Sequence, residues 1–214
     1  MDRARVELLA ELLSPTPLVD GARRLAGALR RPGARPGHLL VVGTPDHEPW
    51  HLTAHLDDEA RYAGLPDLTP TLVRWRVPDG APAHLAVDVR RLEAAQRGET
   101  VFVVSPQAAP EPLLERADDA RRRGATLLSL DTGDDELGGI VHERLVVAPS
   151  GLALPAHLVE EVTQGADAVG APMTFDIAQH LVSAAAGENP RVRRGWRARL
   201  EAVLEKVSGP APTR

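Results

Sequence analysis

The sequence predicts an α/β fold, a single doubly wound sheet of five parallel strands flanked by helices. Three observations carry that expectation. Five apolar runs of five or six residues recur along the chain, three of them without the polar alternation of a half-exposed strand. Longer segments with helical periodicity separate them. Prolines and glycines punctuate those segments in the sense a helix requires, as in PEPLLERADDARRRG, where proline stands at the entrance and glycine at the exit.

Taken in order, helices are expected over residues 3–13 and 17–31, before a first strand HLLVVG at 38–43. A helix over 49–63 enters through Asp46 with Pro49 in its first turn. The second strand is TLVRWR at 71–76, followed by a helix over 86–97 and the third strand, TVFVVS, at 100–105. Then come a helix over 111–123, the strand ATLLSL at 125–130, a short turn near 134–140 and the last strand RLVVA at 144–148. Three more helices are expected near 155–164, 172–186 and 193–207, and the tail SGPAPTR at 208–214 should be loose. No internal repeat is present, so residues 1–207 form one expected domain.

Composition narrows the function classes. A chain of 214 residues with 43% apolar content can bury one good core. Its formal charge of -5 and pI near 5.9 supply no basic field, which argues against nucleic acid as a partner. The absence of cysteine excludes disulfides, thiolate chemistry and cysteine zinc sites. No apolar run approaches a bilayer span, so a cytoplasmic protein without a membrane partner is the expectation.

In a doubly wound sheet, ligands sit outside the carboxyl ends of the strands, near the point where strand order reverses. That singles out GTPDHEP after the first strand, SPQAAPEP after the third and DTGDDELGG after the fourth. The first of these opens HEPWHLTAH, a literal H-E-x-x-H, the pattern of a helical zinc hydrolase site. Pro49 and the preceding loop place His47 at or before the first helical turn, whereas the hydrolase geometry needs both histidines on regular helix. His51, His55 and Glu59 do share one helix face, and a metal would join them. The plainer expectation is a solvated or half-buried histidine face, with Trp50, Leu52 and Leu56 carrying the packing. His47 beside Glu48 also fits acid–base work, because imidazole titrates near neutrality. At the fourth strand, Asp131 and Thr132 offer a carboxylate and a hydroxyl to a ligand, although D-T-G is equally ordinary turn chemistry. Glu111 is explained by the dipole of the helix it begins.

The segment ETVFVVSPQAAPEPLLERADDARRRGATLLSLDTGDDELGGIVHERLVVAP resembles the sugar isomerase (SIS) domain family. The likeness rests on an apolar strand ending in Ser105, a helix ending at Arg123-Gly124-Ala125, a strand ending at Asp131-Thr132, a D-x-x-L segment from Asp134 to Leu137, and Pro149 after the last strand. GHLLVVGTPDHEP stands where the family has a strand followed by G-x-G-x-S. The resemblance implies the SIS or flavodoxin-like strand order, a homodimer, and a phosphorylated sugar held by Gly43, Thr44, Asp46, Ser105, Gln107 and Thr132. It further implies aldose–ketose isomerisation with His47 or Glu48 as acid or base. The family's S-x-S-G-x-T loop is here SPQAAP, with Gln107, Ala108 and Pro110 in place of serine, glycine and threonine. The phosphoheptose isomerase branch binds zinc through H-x-x-x-E and a Gln/His pair; His55 with Glu59, and Gln179 beside His180, resemble that set. Zinc held by His51, His55, Glu59 or His180 is the cofactor so implied. Three functions follow as expectations: a sugar-phosphate-binding domain, active or not as an isomerase; a non-catalytic sensing or assembly module on the same fold; and a metal-dependent enzyme centred on His51 and His55.

Overall fold

The structure of the protein, a computed structural model, describes residues 17–30, 38–148 and 171–188. Five strands form one parallel sheet: β1 (Leu39–Val42), β2 (Pro70–Val73), β3 (Thr100–Ser105), β4 (Thr126–Asp131) and β5 (Glu143–Val146). Their order is β2-β1-β3-β4-β5. This is the flavodoxin-like arrangement, and the reversal of order falls between β1 and β3. All five expected strands are present, each with its ends within three residues of the expected ones; the largest difference is β2, which stops at Val73 where residue 76 was expected.

The apolar runs lack alternation because both faces of the sheet are covered. Leu39 and Val41 of β1, with Phe102 and Val104 of β3 and Leu128 and Leu130 of β4, point into one core. Helices α1 (Pro17–Leu29), α2 (Trp50–Ala63) and α5 (Ala171–Gly187) close that side. Leu40, Val42, Val101, Val103 and Leu127 point the other way, under α3 (Glu111–Arg122), the short α4 (Asp135–Ile140) and a 3-10 segment Val89–Ala94. The outer strands are less covered, and Pro70 opens β2 at the sheet edge, where a missing N–H costs least.

One expected helix is corrected. Residues 86–97 form no α-helix; the connection from β2 to β3 uses two 3-10 pieces, Ala83–Leu85 and Val89–Ala94. The Asp88 carboxylate accepts from the Arg90 N–H and tightens the turn, while Arg74 N–H donates to the Val87 carbonyl and ties the connection to the end of β2. Leu92 and Ala95 are buried at the spacing that suggested a helix, yet Ala95 is already extended. Residues 3–13, 155–164 and 193–207 and the tail at 208–214 lie outside the described residues.

Candidate functional site: three histidines at the carboxyl edge of the sheet

The loop GTPDHEP turns sharply at Gly43. A Cβ added there would stand 1.9 Å from the His47 carbonyl oxygen and 2.7 Å from Pro49 Cδ, so only glycine fits. His47 N–H donates to the Thr44 carbonyl at 3.2 Å and closes the turn. Helix α2 then begins at Trp50, which leaves His47 outside it. The first histidine of H-E-x-x-H is therefore not on regular helix. Its ring stands edge-on to Phe175 of α5, with centroids 5.9 Å apart, and its Nε2 is buried without a hydrogen-bond partner among the described residues. Burial lowers the pKa of His47, and Asp176 opposes that shift.

The other two histidines of the motif meet a third from far along the chain. His51 and His55, one turn apart on α2, have ring centroids 4.7 Å apart. His180 of α5 lies 4.6 Å from the His55 ring and 5.2 Å from the His51 ring. One nitrogen from each ring falls within 4.8 Å of the others. The group grades inward from exposed His51 through half-buried His55 to His180, which is 8% exposed. Burial, then the neighbouring His51, lowers the pKa of His55 against a smaller opposing pull from Asp58. Burial, then His55 and His51, pushes His180 down to about 4. Both shifts favour the neutral rings of His55 and His180, the state in which an imidazole offers a lone pair to a metal.

Around this group the expected ligands separate. Glu59, a turn beyond His55, packs against Gly187: a Cβ there would lie 2.0 Å from Glu59 Oε2. It stands outside the three-imidazole group. Gln179 donates to Asp176 Oδ1 at 3.0 Å, so of the adjacent Gln179 and His180 only the histidine joins the cluster. Trp50 does not carry packing; it is 61% exposed and lies nearly parallel to His51 at 5.3 Å, while Leu52 and Leu56 are buried as expected. The reason is the helix start: with Trp50 as the first residue of α2, the buried stripe falls on positions 52, 56 and 60.

Glu48 is committed elsewhere. Arg74, just beyond β2, donates from Nε and Nη2 to its two carboxylate oxygens at 2.8 and 2.7 Å. Next to this pair, Trp75 Nε1 donates to the Gly43 carbonyl at 2.8 Å, tying the ends of β1 and β2 together. Thr44 is buried here, while Asp46 is exposed in the loop.

The loop after β3 is closed on itself. Ser105 donates its hydroxyl to the Gln107 carbonyl at 2.5 Å, Thr132 donates to the Pro106 carbonyl at 3.2 Å, and Ala109 N–H is taken by Asp134 Oδ2 at 2.7 Å. The second Asp134 oxygen caps α4 through Glu136 and Leu137 N–H groups. Asp131, fully buried at the end of β4, forms a two-pronged pair with Arg144 (2.9 and 2.6 Å) and accepts from Ser129 and Gly133. Burial alone would raise its pKa; Arg144, Gly133 N–H and Ser129 outweigh it and hold the carboxyl below its ordinary range. Gln107 remains exposed. Arg74, Trp75 and Arg144 were not singled out from the sequence. The R-W-R ending of the second strand was the one available signal, since it sets two cations and an indole at a strand's carboxyl end.

No family model and no curated protein matches the chain. Among solved structures it is similar to the sugar isomerase domain of an RpiR transcription factor from Sphaerobacter thermophilus, with 17% identity and a TM-score of 0.49 over 95% of this chain and 93% of that one. It is also similar to the Vibrio vulnificus NanR protein complexed with ManNAc-6P, with 14% identity and a TM-score of 0.45 over 86% of this chain and 61% of that one. Likenesses of this strength assign neither a ligand nor an activity.

Proposed function

We propose that this chain binds a divalent metal ion of the zinc class through His51, His55 and His180. The observation that carries the reading is the convergence of three imidazoles from two helices at the carboxyl edge of a parallel sheet. The donor set fits such an ion: three nitrogens leave a fourth tetrahedral position open, and His55 Nε2 is buried with no other hydrogen-bond partner among the described residues. When bound, the ion would supply Lewis acidity toward a ligand oxygen. His51 provides the exposed side through which a ligand reaches the group, and the buried His180 forms its inner side. Metal analysis after zinc loading and exhaustive dialysis tests the reading. Wild type should retain one ion per chain and His180→Ala should not; equal zinc in wild type and a His51→Ala, His55→Ala variant would remove it.

The strand order favours a second reading for the same edge, a phosphorylated sugar bound near the ends of β1 and β3, where open α/β sheets take their ligands. If the domain is an isomerase, His47 is the better acid–base group, since Glu48 is occupied by Arg74. A thermal-shift screen against sugar phosphates tests this, because a ligand of the native state must raise its melting temperature. Silence across the panel would favour a non-catalytic module. The homodimer implied by the resemblance is carried as a proposal to be checked by light scattering.

A further inference from the structure

The phosphate seat implied by the resemblance is the loop after β3, and its hydroxyl donors are spent. Ser105, Thr132 and Ala109 N–H are each bonded within the protein, and Pro106 and Pro110 have no N–H to give. The loop also meets the Asp134 carboxylate, a charge of the wrong sign for an anion. A different place on the same edge has the opposite character. Gly43, Thr44, Pro45, Glu48, Val73, Trp75 and Arg76 enclose a cavity of about 60 Å³ at the carboxyl ends of β1 and β2. Its walls are braced by the Arg74–Glu48 pair and by the Trp75 hydrogen bond to Gly43. Arg74 neutralises Glu48, and Arg76 at the rim has no carboxylate partner among the described residues. One uncompensated guanidinium thus stands over a rigid polar cavity in a chain whose net charge is -5. Beside it, the Thr44 side chain is buried and offers a hydroxyl.

We propose that this cavity is a phosphoryl subsite, in which Arg76 and the Thr44 hydroxyl receive the phosphate of a ligand whose remainder lies along the sheet edge. Its volume holds roughly four waters, which the four oxygens of a phosphate replace, and it is too small for a sugar ring. A guanidinium supplies paired donors in the geometry that phosphate oxygens accept. The inference deepens the sugar-phosphate reading by placing the anionic end of its ligand on the β2 side of β1; it does not involve the metal.

The test uses the full chain, metal-free, titrated with inorganic phosphate at constant ionic strength and followed by melting temperature and by tryptophan emission, since Trp75 lines the cavity. Wild type should show a saturable response, and Arg76→Ala should weaken it by about tenfold, the loss expected for charge-assisted bonds. Gln107→Ala, on the exposed part of the β3 loop, should leave it unchanged. Arg76 is exposed, so the fold is not at stake in that variant, and Arg76→Lys should recover part of the affinity. Absence of a response in wild type, or equal affinity in Arg76→Ala, would overturn the proposal, as would a loss confined to Gln107→Ala. Phosphate binding with no response to any sugar phosphate would keep the subsite and remove the sugar reading. Sugar phosphates that bind Arg76→Ala as tightly as wild type would do the reverse.

Discussion

Asp131 shows how a single side chain divides structural from functional chemistry in this site. As a strand-end carboxylate beside a hydroxyl it reads equally well as a ligand contact or as a turn; its burial and its pairing with Arg144 make it a structural anchor. Breaking a buried pair strands a charge, so Asp131→Asn should lower stability by about 3 kcal/mol in urea unfolding. The pH dependence follows from the depressed pKa of the folded state. The stability Asp131 contributes is complete above the unfolded carboxylate value of about 4 and is lost as pH falls through the lower folded value. The gap between wild type and Asp131→Asn should therefore close below about pH 4, with no such narrowing between pH 5 and 8. Trp50 offers a second check at this scale. Its ring lies against His51, so Co²⁺ entering the histidine group should quench its emission, and Trp50→Phe should lose most of that quenching. Quenching unchanged in Trp50→Phe would place the ion elsewhere.

At the scale of elements, the entry to α2 sets the geometry of everything that follows it. Gly43 permits the turn, the turn puts His47 before the helix, and the helix start fixes which residues face α5. Gly43→Ala would drive a Cβ into backbone that cannot move without shifting α2, so it should cost about 2–3 kcal/mol and also weaken zinc binding, although it touches no histidine. Thermal unfolding and a zinc titration on the same variant measure both effects. The elements themselves were largely legible. Short unalternating runs gave away strands buried on both faces, and proline and glycine marked the ends of α3. Residues 86–97 were not legible, because Leu92 and Ala95 are buried at a spacing shared by a helix and by a 3-10 turn ending in extended chain; the Asp88 side chain decided between them. The pairing of Glu48 with Arg74 was also hidden, since it depends on β2 lying beside β1 rather than on any local pattern.

For the whole molecule, the members of the histidine group were legible by two different routes. His51 and His55 share a helix face by spacing alone, whereas His180 was offered only by the family resemblance, because its place beside them depends on the packing of α5 on α2, a relation between segments well over a hundred positions apart. A bound ion would bridge that separation as a clasp. Its removal should free the far segment before the sheet feels anything, because the sheet's own hydrogen bonds do not involve α5. Limited proteolysis should then cut near residues 171–188 faster in chelator-treated protein than in zinc-loaded protein, with fragments spanning β1 to β5 surviving in both. Equal cleavage rates would mean that α5 holds its place unaided. One coordination sphere joining such distant stretches of chain would tie α5 to α2 in the folded state, so a modest affinity would act as a lock on the layer that α5 adds.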